Sequence, residues 1–102
     1  MNNIPDVLKI KNNGYKLLLE NDKVRVMEIR LEPGQKSPMH NHPDEHVVYV
    51  NNDAKFRLSF PDGKSSEFEL KAGQAFFMES GPHETENVGR SKGHNIVIEL
   101  KK

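Results

Sequence analysis

The chain predicts an all-β fold, an antiparallel sandwich or small barrel, and three observations carry that expectation. Ala54, Phe56, Leu58 and Phe60 alternate with Lys55, Arg57 and Ser59, the two-residue period of a strand with one wet face. No segment keeps a helical period over three or more turns. Gly and Pro punctuate the chain throughout, and without helices to cover a parallel sheet, seven or eight short strands close most economically in antiparallel fashion.

The elements follow in order. Met1 to Asn13 is polar and ends in turn-forming residues, so residues 1–15 are expected as an N-terminal arm and residues 16–102 as a single barrel domain. Lys16 to Glu20 reads as a strand or one helical turn. Val24 to Leu31 is strand-like, but its apolar phase shifts between Val26 and Met27, which predicts a bulge or burial on both faces. Val47 to Val50 and Ala75 to Met78 are short apolar runs, expected where a strand is covered on both sides. Pro61-Asp62-Gly63 supplies a fixed φ, a turn-forming side chain and a residue tolerant of left-handed backbone, so Glu67 to Leu70 should return as the hairpin partner of Ala54 to Phe60. Asn95 to Leu100 closes the chain as a last strand.

Composition narrows the function classes. At 102 residues there is chain for one core, and only 34% of residues are apolar. Fifteen basic residues balance fifteen acidic ones, which leaves no field to attract a phosphate backbone, so nucleic acid is not an expected partner. No apolar run approaches the roughly 20 residues of a membrane span and the first residues lack a signal-peptide core, so a cytoplasmic protein without membrane contact is expected. There is no cysteine, so disulfides, thiolate metal sites and thiol nucleophiles are excluded, and any metal must be held by histidine or carboxylate.

Five histidines remain. His40 and His42 are two apart, so on an extended segment both rings leave one face, and His46 opens the next strand after Pro43-Asp44-Glu45. His83, in Gly81-Pro82-His83, would bring a fourth ring from a distant strand. A lone histidine near a strand end is ordinarily a surface or satisfied core residue, and that is the expectation for His94. Shared-face spacing is what coordination requires, and it singles out the first three.

Together these segments resemble the two motifs of the cupin superfamily, G(x)5HxH(x)3-4E(x)6G and G(x)5PxG(x)2H(x)3N. Gly34, His40, His42 and His46 match the first, with His46 at the glutamate position; Gly73, Gly81, His83 and Asn87 match the second. The resemblance covers roughly Lys16 to Lys102 and implies an antiparallel double-stranded β-helix, a jelly-roll barrel like that of RmlC. It also implies one divalent transition metal, iron, manganese, nickel, copper or zinc, held by His40, His42, His46 and His83. A histidine in place of glutamate makes the ligand set neutral, which should raise the ion's Lewis acidity. Glu45 would serve instead if the loop shifted by one residue, though strand parity favours His46. Two further departures are Glu79 at the family's proline and Asp53 at its glycine, where Asp tolerates a left-handed turn better than most residues.

The resemblance implies a metal-dependent enzyme, of dioxygenase or isomerase type, acting on a small organic substrate. The alternative is a non-catalytic binding or sensing module. Phe56, Phe60, Phe76 and Met78 are candidates to line the pocket, with core packing as their default; Glu28, Glu79, Glu84 and Glu86 are expected to face solvent. His40 to His46 also comes within one residue of the HxHxDH signature of metallo-β-lactamase-like hydrolases, but that fold needs helical layers and about twice this length. Small barrels leave apolar outer faces and strand edges, so a homodimer is expected.

Overall fold

The computed structural model describes residues 4–102. Nine strands run in order: β1 Tyr15–Glu20, β2 Val24–Leu31, β3 Lys36–His42, β4 His46–Val50, β5 Ala54–Ser59, β6 Ser65–Leu70, β7 Ala75–Met78, β8 Gly81–Asn87 and β9 Gly93–Leu100. They form a five-stranded sheet, β1-β2-β9-β4-β7, and a four-stranded sheet, β3-β8-β5-β6, with every pairing between strands antiparallel. Met27, Ile29, Leu31, Val48, Val50, Phe56, Leu70 and Val97 are buried between them. No helix is long and apolar enough to cross a membrane.

The predicted hairpin is present. β5 pairs with β6 from Ala54↔Leu70 to Ser59↔Ser65, and Gly63 takes a φ of 90° at its tip, where Asp62 accepts a hydrogen bond from the Lys64 amide. The outer face of this sheet is charged as the alternation requires, with Arg57 between Glu67 and Glu86 and Lys36 on Glu84.

The five-stranded sheet behaves differently. Val47 to Val50 and Ala75 to Met78, expected to be covered on both sides, alternate instead: Val48 and Val50 are buried, while Tyr49 and Phe77 are 43% and 53% exposed. Register aligns Leu19, Val26, Ile98, Val47 and Phe77 as an unbroken apolar row, one residue per strand, across the outside of this sheet. That row also explains the apparent phase shift in β2. The strand stays in continuous register with β9 over eight pairs, Val26 belongs to the outer row, and the bulge lies in β1 between Leu17 and Leu19.

Of the segment expected as a polar arm, residues 4–15 pack into the body, and residues 1–3 lie outside the described residues. Val7 is fully buried in the core, within a short 3-10 turn, Val7–Lys9, that Asp6 caps through the Leu8 amide. Asn13 is buried and donates to the Val7 carbonyl at 2.7 Å, and the Asn41 amide donates to the Pro5 carbonyl. One apolar residue and its hydrogen-bonded neighbours thus outweigh the polarity of the surrounding sequence. Asp53 avoids left-handed backbone, which among the described non-glycine residues only Asn12 adopts; its carboxylate accepts from the Ala72 amide at 2.8 Å and ties the loops together.

Candidate metal centre

The β3–β8 register sets His40 directly opposite His83, and the two-residue step along β3 brings His42 to the same inward face. The ring centroids of His40, His42 and His83 form a nearly equilateral triangle of 4.9, 4.8 and 4.9 Å sides. One ligating atom from each lies within 4.8 Å of the others, and all three residues are buried. His46 is equally buried, and its ring stacks on His42 at 4.4 Å with an interplanar angle of 29°. The structure therefore gathers all four predicted histidines but groups three as potential ligands, with His46 beside them.

Hydrogen bonds decide which nitrogen of each ring faces the centre. Nδ1 of His40 donates to the Pro38 carbonyl at 2.7 Å, and Nδ1 of His46 to the Asp44 carbonyl at 3.0 Å. Nδ1 of His42 pairs with Oε2 of Glu99 at 2.7 Å. A carbonyl only accepts, as does a carboxylate, so each of those Nδ1 atoms carries the proton and leaves Nε2 with a free lone pair. Nε2 of His40 and Nε2 of His42 are buried without a hydrogen-bond partner. Burial, reinforced by the neighbouring histidines, lowers His42 and His83 to about 2 and lowers His40, so all three rings are neutral at physiological pH. Neutral imidazoles with inward, unpartnered Nε2 atoms suit a divalent transition metal, and the residues fit that group.

Glu99 is fully buried at the end of β9, the inward neighbour of His46 across the sheet. Burial raises its carboxyl, and Arg25 opposes the rise with Nη2 2.7 Å and Nε 2.8 Å from Oε1. Arg25 also takes both oxygens of Asp6 at 3.0 Å, so a chain of charge runs Asp6–Arg25–Glu99–His42. The edge of Tyr15 lies against His40 and His42, at 5.3 and 5.8 Å between centroids, and burial holds its phenol protonated far above neutrality.

The centre opens into a cavity of about 680 Å³ between the sheets, lined by His42, His46 and His83 and by all four predicted apolar candidates, Phe56, Phe60, Phe76 and Met78. Glu79 also lines it, whereas Glu28, Glu84 and Glu86 are engaged with His94 and Arg30, Lys36 and Arg57 on the outer faces. His94 lies outside the site, between Glu28 and Asn51. Glu45 does not replace His46: its carboxylate is partly exposed and approaches Lys102. Tyr15, Glu99 and Asn95 are site residues that the sequence reading missed. Asn95, Val97 and Glu99 face inward on β9 while Ile96, Ile98 and Leu100 face out, the reverse of what polarity suggests for all but Val97.

Comparison with known proteins agrees with this geometry. A bacterial relative, the β-alanine degradation protein BauB of Pseudomonas aeruginosa, is 33% identical over 80 residues, 78% of this chain and 81% of that protein. Among solved structures, a cupin domain from Bordetella pertussis superposes with a TM-score of 0.79 at 26% identity over 91% of this chain and 99% of that one. The polyketide cyclase RemF of Streptomyces resistomycificus shares the fold, with a TM-score of 0.63 and 22% identity over 91% of this chain and 71% of that one. The cupin domain profile matches residues 27–99, from the buried Met27 of β2 to the Glu99 that holds His42, and the chain belongs to the cupin family.

Proposed function

We propose that this cupin is a metal-dependent enzyme that binds one divalent transition metal through His40, His42 and His83, with His46 alongside, and acts on a small organic substrate in the adjoining cavity. The observation that carries the reading is the pair of buried, unpartnered Nε2 atoms on His40 and His42. A buried polar atom left without a partner costs about 1–3 kcal/mol, and a metal ion would satisfy both at once. When bound, such an ion supplies Lewis acidity toward an oxygen-bearing ligand. Around it, Glu99 fixes the tautomer of His42, Pro38 fixes that of His40, and apolar side chains supply much of the cavity wall. The relative named for β-alanine degradation supports a small organic molecule as the substrate.

The test is metal analysis by plasma mass spectrometry on untagged, unsupplemented protein. Wild type should carry close to one equivalent, and His42→Ala and His83→Ala should each lose it. Metal-free wild type that takes up no ion on reconstitution would remove the enzyme reading. One equivalent that can be stripped with a change in melting temperature alone, with no turnover on refilling in substrate screens, would instead favour a structural metal.

We also propose that a second copy of the chain covers the outer apolar row from Leu19 to Phe77. A flat patch that crosses all five strands can close on its own image about a two-fold axis.

A further inference from the structure

The imidazoles of His42, His46 and His83, with Tyr15 against them, gather at one end of the cavity, and Asp62, Glu79, Ser80, Thr85 and Asn95 are its other polar lining residues. Asn95 stands apart. It lies on the inward face of β9, opposite Ile29 on one side and Val50 on the other, and Glu99, the partner of His42, is four residues further along. At strand rise that separation is roughly 13 Å of backbone. Asn95 is 4% exposed, it lines the cavity, and its Oδ1 has no hydrogen-bond partner. The Ile29, Val48 and Val97 side chains beside it show that this stretch of wall is otherwise apolar, and a leucine would fill the position without leaving a polar atom unpaired.

We propose that Asn95 is a specificity-determining residue whose Oδ1 accepts a hydrogen bond from an N–H or O–H group at the far end of a ligand. This rests on the metal-site reading above, since the ligand's other end is an oxygen chelator held at the histidine centre. Its middle is hydrocarbon, matching Ile29, Val48, Leu58 and Val97 along the wall. The lining includes Asp62 and Glu79 and no lysine or arginine, so the far end is a neutral or cationic donor, a hydroxyl, amide or amine, and not an anion. A site built to pair a ligand's donor discriminates strongly against an analogue that lacks it, because the buried acceptor is then left empty.

Two probes with the same chelating head test this on cobalt(II)-loaded protein by titration calorimetry: octanohydroxamic acid and its 8-hydroxy derivative. Wild type should bind the hydroxyl-ended probe at least about tenfold more tightly. Asn95→Leu should bind both probes equally, keep the affinity for the methyl-ended one, and melt at or above the wild-type temperature; Asn95→Ala, which removes the amide without adding bulk, should equalise them too. Equal affinities in wild type, or a preference that survives both substitutions, would overturn the role of Asn95 and leave the metal site standing. Affinity for both probes lost together with the melting temperature would make Asn95 a structural residue and overturn the proposal. Failure of both probes to bind wild type would overturn it together with the metal reading.

Discussion

Oε2 of Glu99 lies 2.7 Å from Nδ1 of His42, while Oε1 of the same carboxylate is held by Arg25. The carboxylate fixes the ring's orientation and tautomer and raises the basicity of the nitrogen that faces the centre. Glu99→Gln keeps an acceptor of the same size but removes the charge. It should weaken metal binding roughly 10–100-fold, measured by competition with a chromogenic chelator. An unchanged affinity would mean that the contact only packs.

The position of His46 yields a second prediction. It stacks on His42 and donates Nδ1 to the Asp44 carbonyl, but its ligating atom lies outside the three-histidine grouping. His46→Gln should therefore keep close to one equivalent of metal where His42→Ala and His83→Ala lose it. Metal content in His46→Gln as low as in the other two variants would restore the four-histidine set that the family motif implies.

The histidine positions were legible because their signal is spacing: HxH on a strand fixes a shared face, and pairing then brings His83 opposite His40. Glu99 and Asn95 were not, for a physical reason. Asn95 and Glu99 alternate with Ile96, Ile98 and Leu100, a pattern that points the isoleucines inward if the wet face is polar, but the outer face of the five-stranded sheet carries Val26, Ile98, Val47 and Phe77 instead. With both faces apolar, Ile96 and Ile98 look like core, and the inward residues look like surface. Val7 was hidden similarly, a single apolar side chain in a polar segment whose burial depends on Asn13 and Asp6 closing the turn around it.

The buried histidines predict a pH dependence in the metal-free protein. His42 and His83 are lowered to about 2 when folded, chiefly by burial, against an ordinary value of 6.5 in the unfolded chain. Between those values the unfolded state binds protons that the folded state refuses, so stability rises with pH and is lost as pH falls below about 6.5. From pH 7.5 to 5.5 the two together should remove on the order of 2–3 kcal/mol. Urea midpoints at the two pH values measure it, and equal midpoints would show that the rings protonate without unfolding.

Gly93 opens β9 directly against the ring of Phe56, a residue that lines the cavity. A Cβ at this position would meet Cε1 and Cζ of that ring. Gly93→Ala must therefore displace Phe56, and should destabilise by about 1–3 kcal/mol, the usual range for overpacking a core. Thermal melts read the loss, and Phe56→Leu in the same background should recover part of it by making room. If Gly93→Ala alone melts like wild type, the wall at Phe56 yields freely.

The row Leu19, Val26, Ile98, Val47 and Phe77 leads to the last prediction. Its two ends, Leu19 and Phe77, are each 53% exposed, while the outer face of the other sheet is covered by Arg57, Glu67, Glu86 and Lys36. An exposed apolar band on one sheet and a charged face on the other is the asymmetry expected of a protein that pairs through the first. Wild type should therefore show twice the 11.7 kDa chain mass by light scattering at micromolar concentration. The double variant Leu19→Glu, Phe77→Glu should show one chain mass with its metal content intact, because neither residue belongs to the histidine grouping. Wild type that is monomeric under these conditions would leave the row without the partner assigned to it.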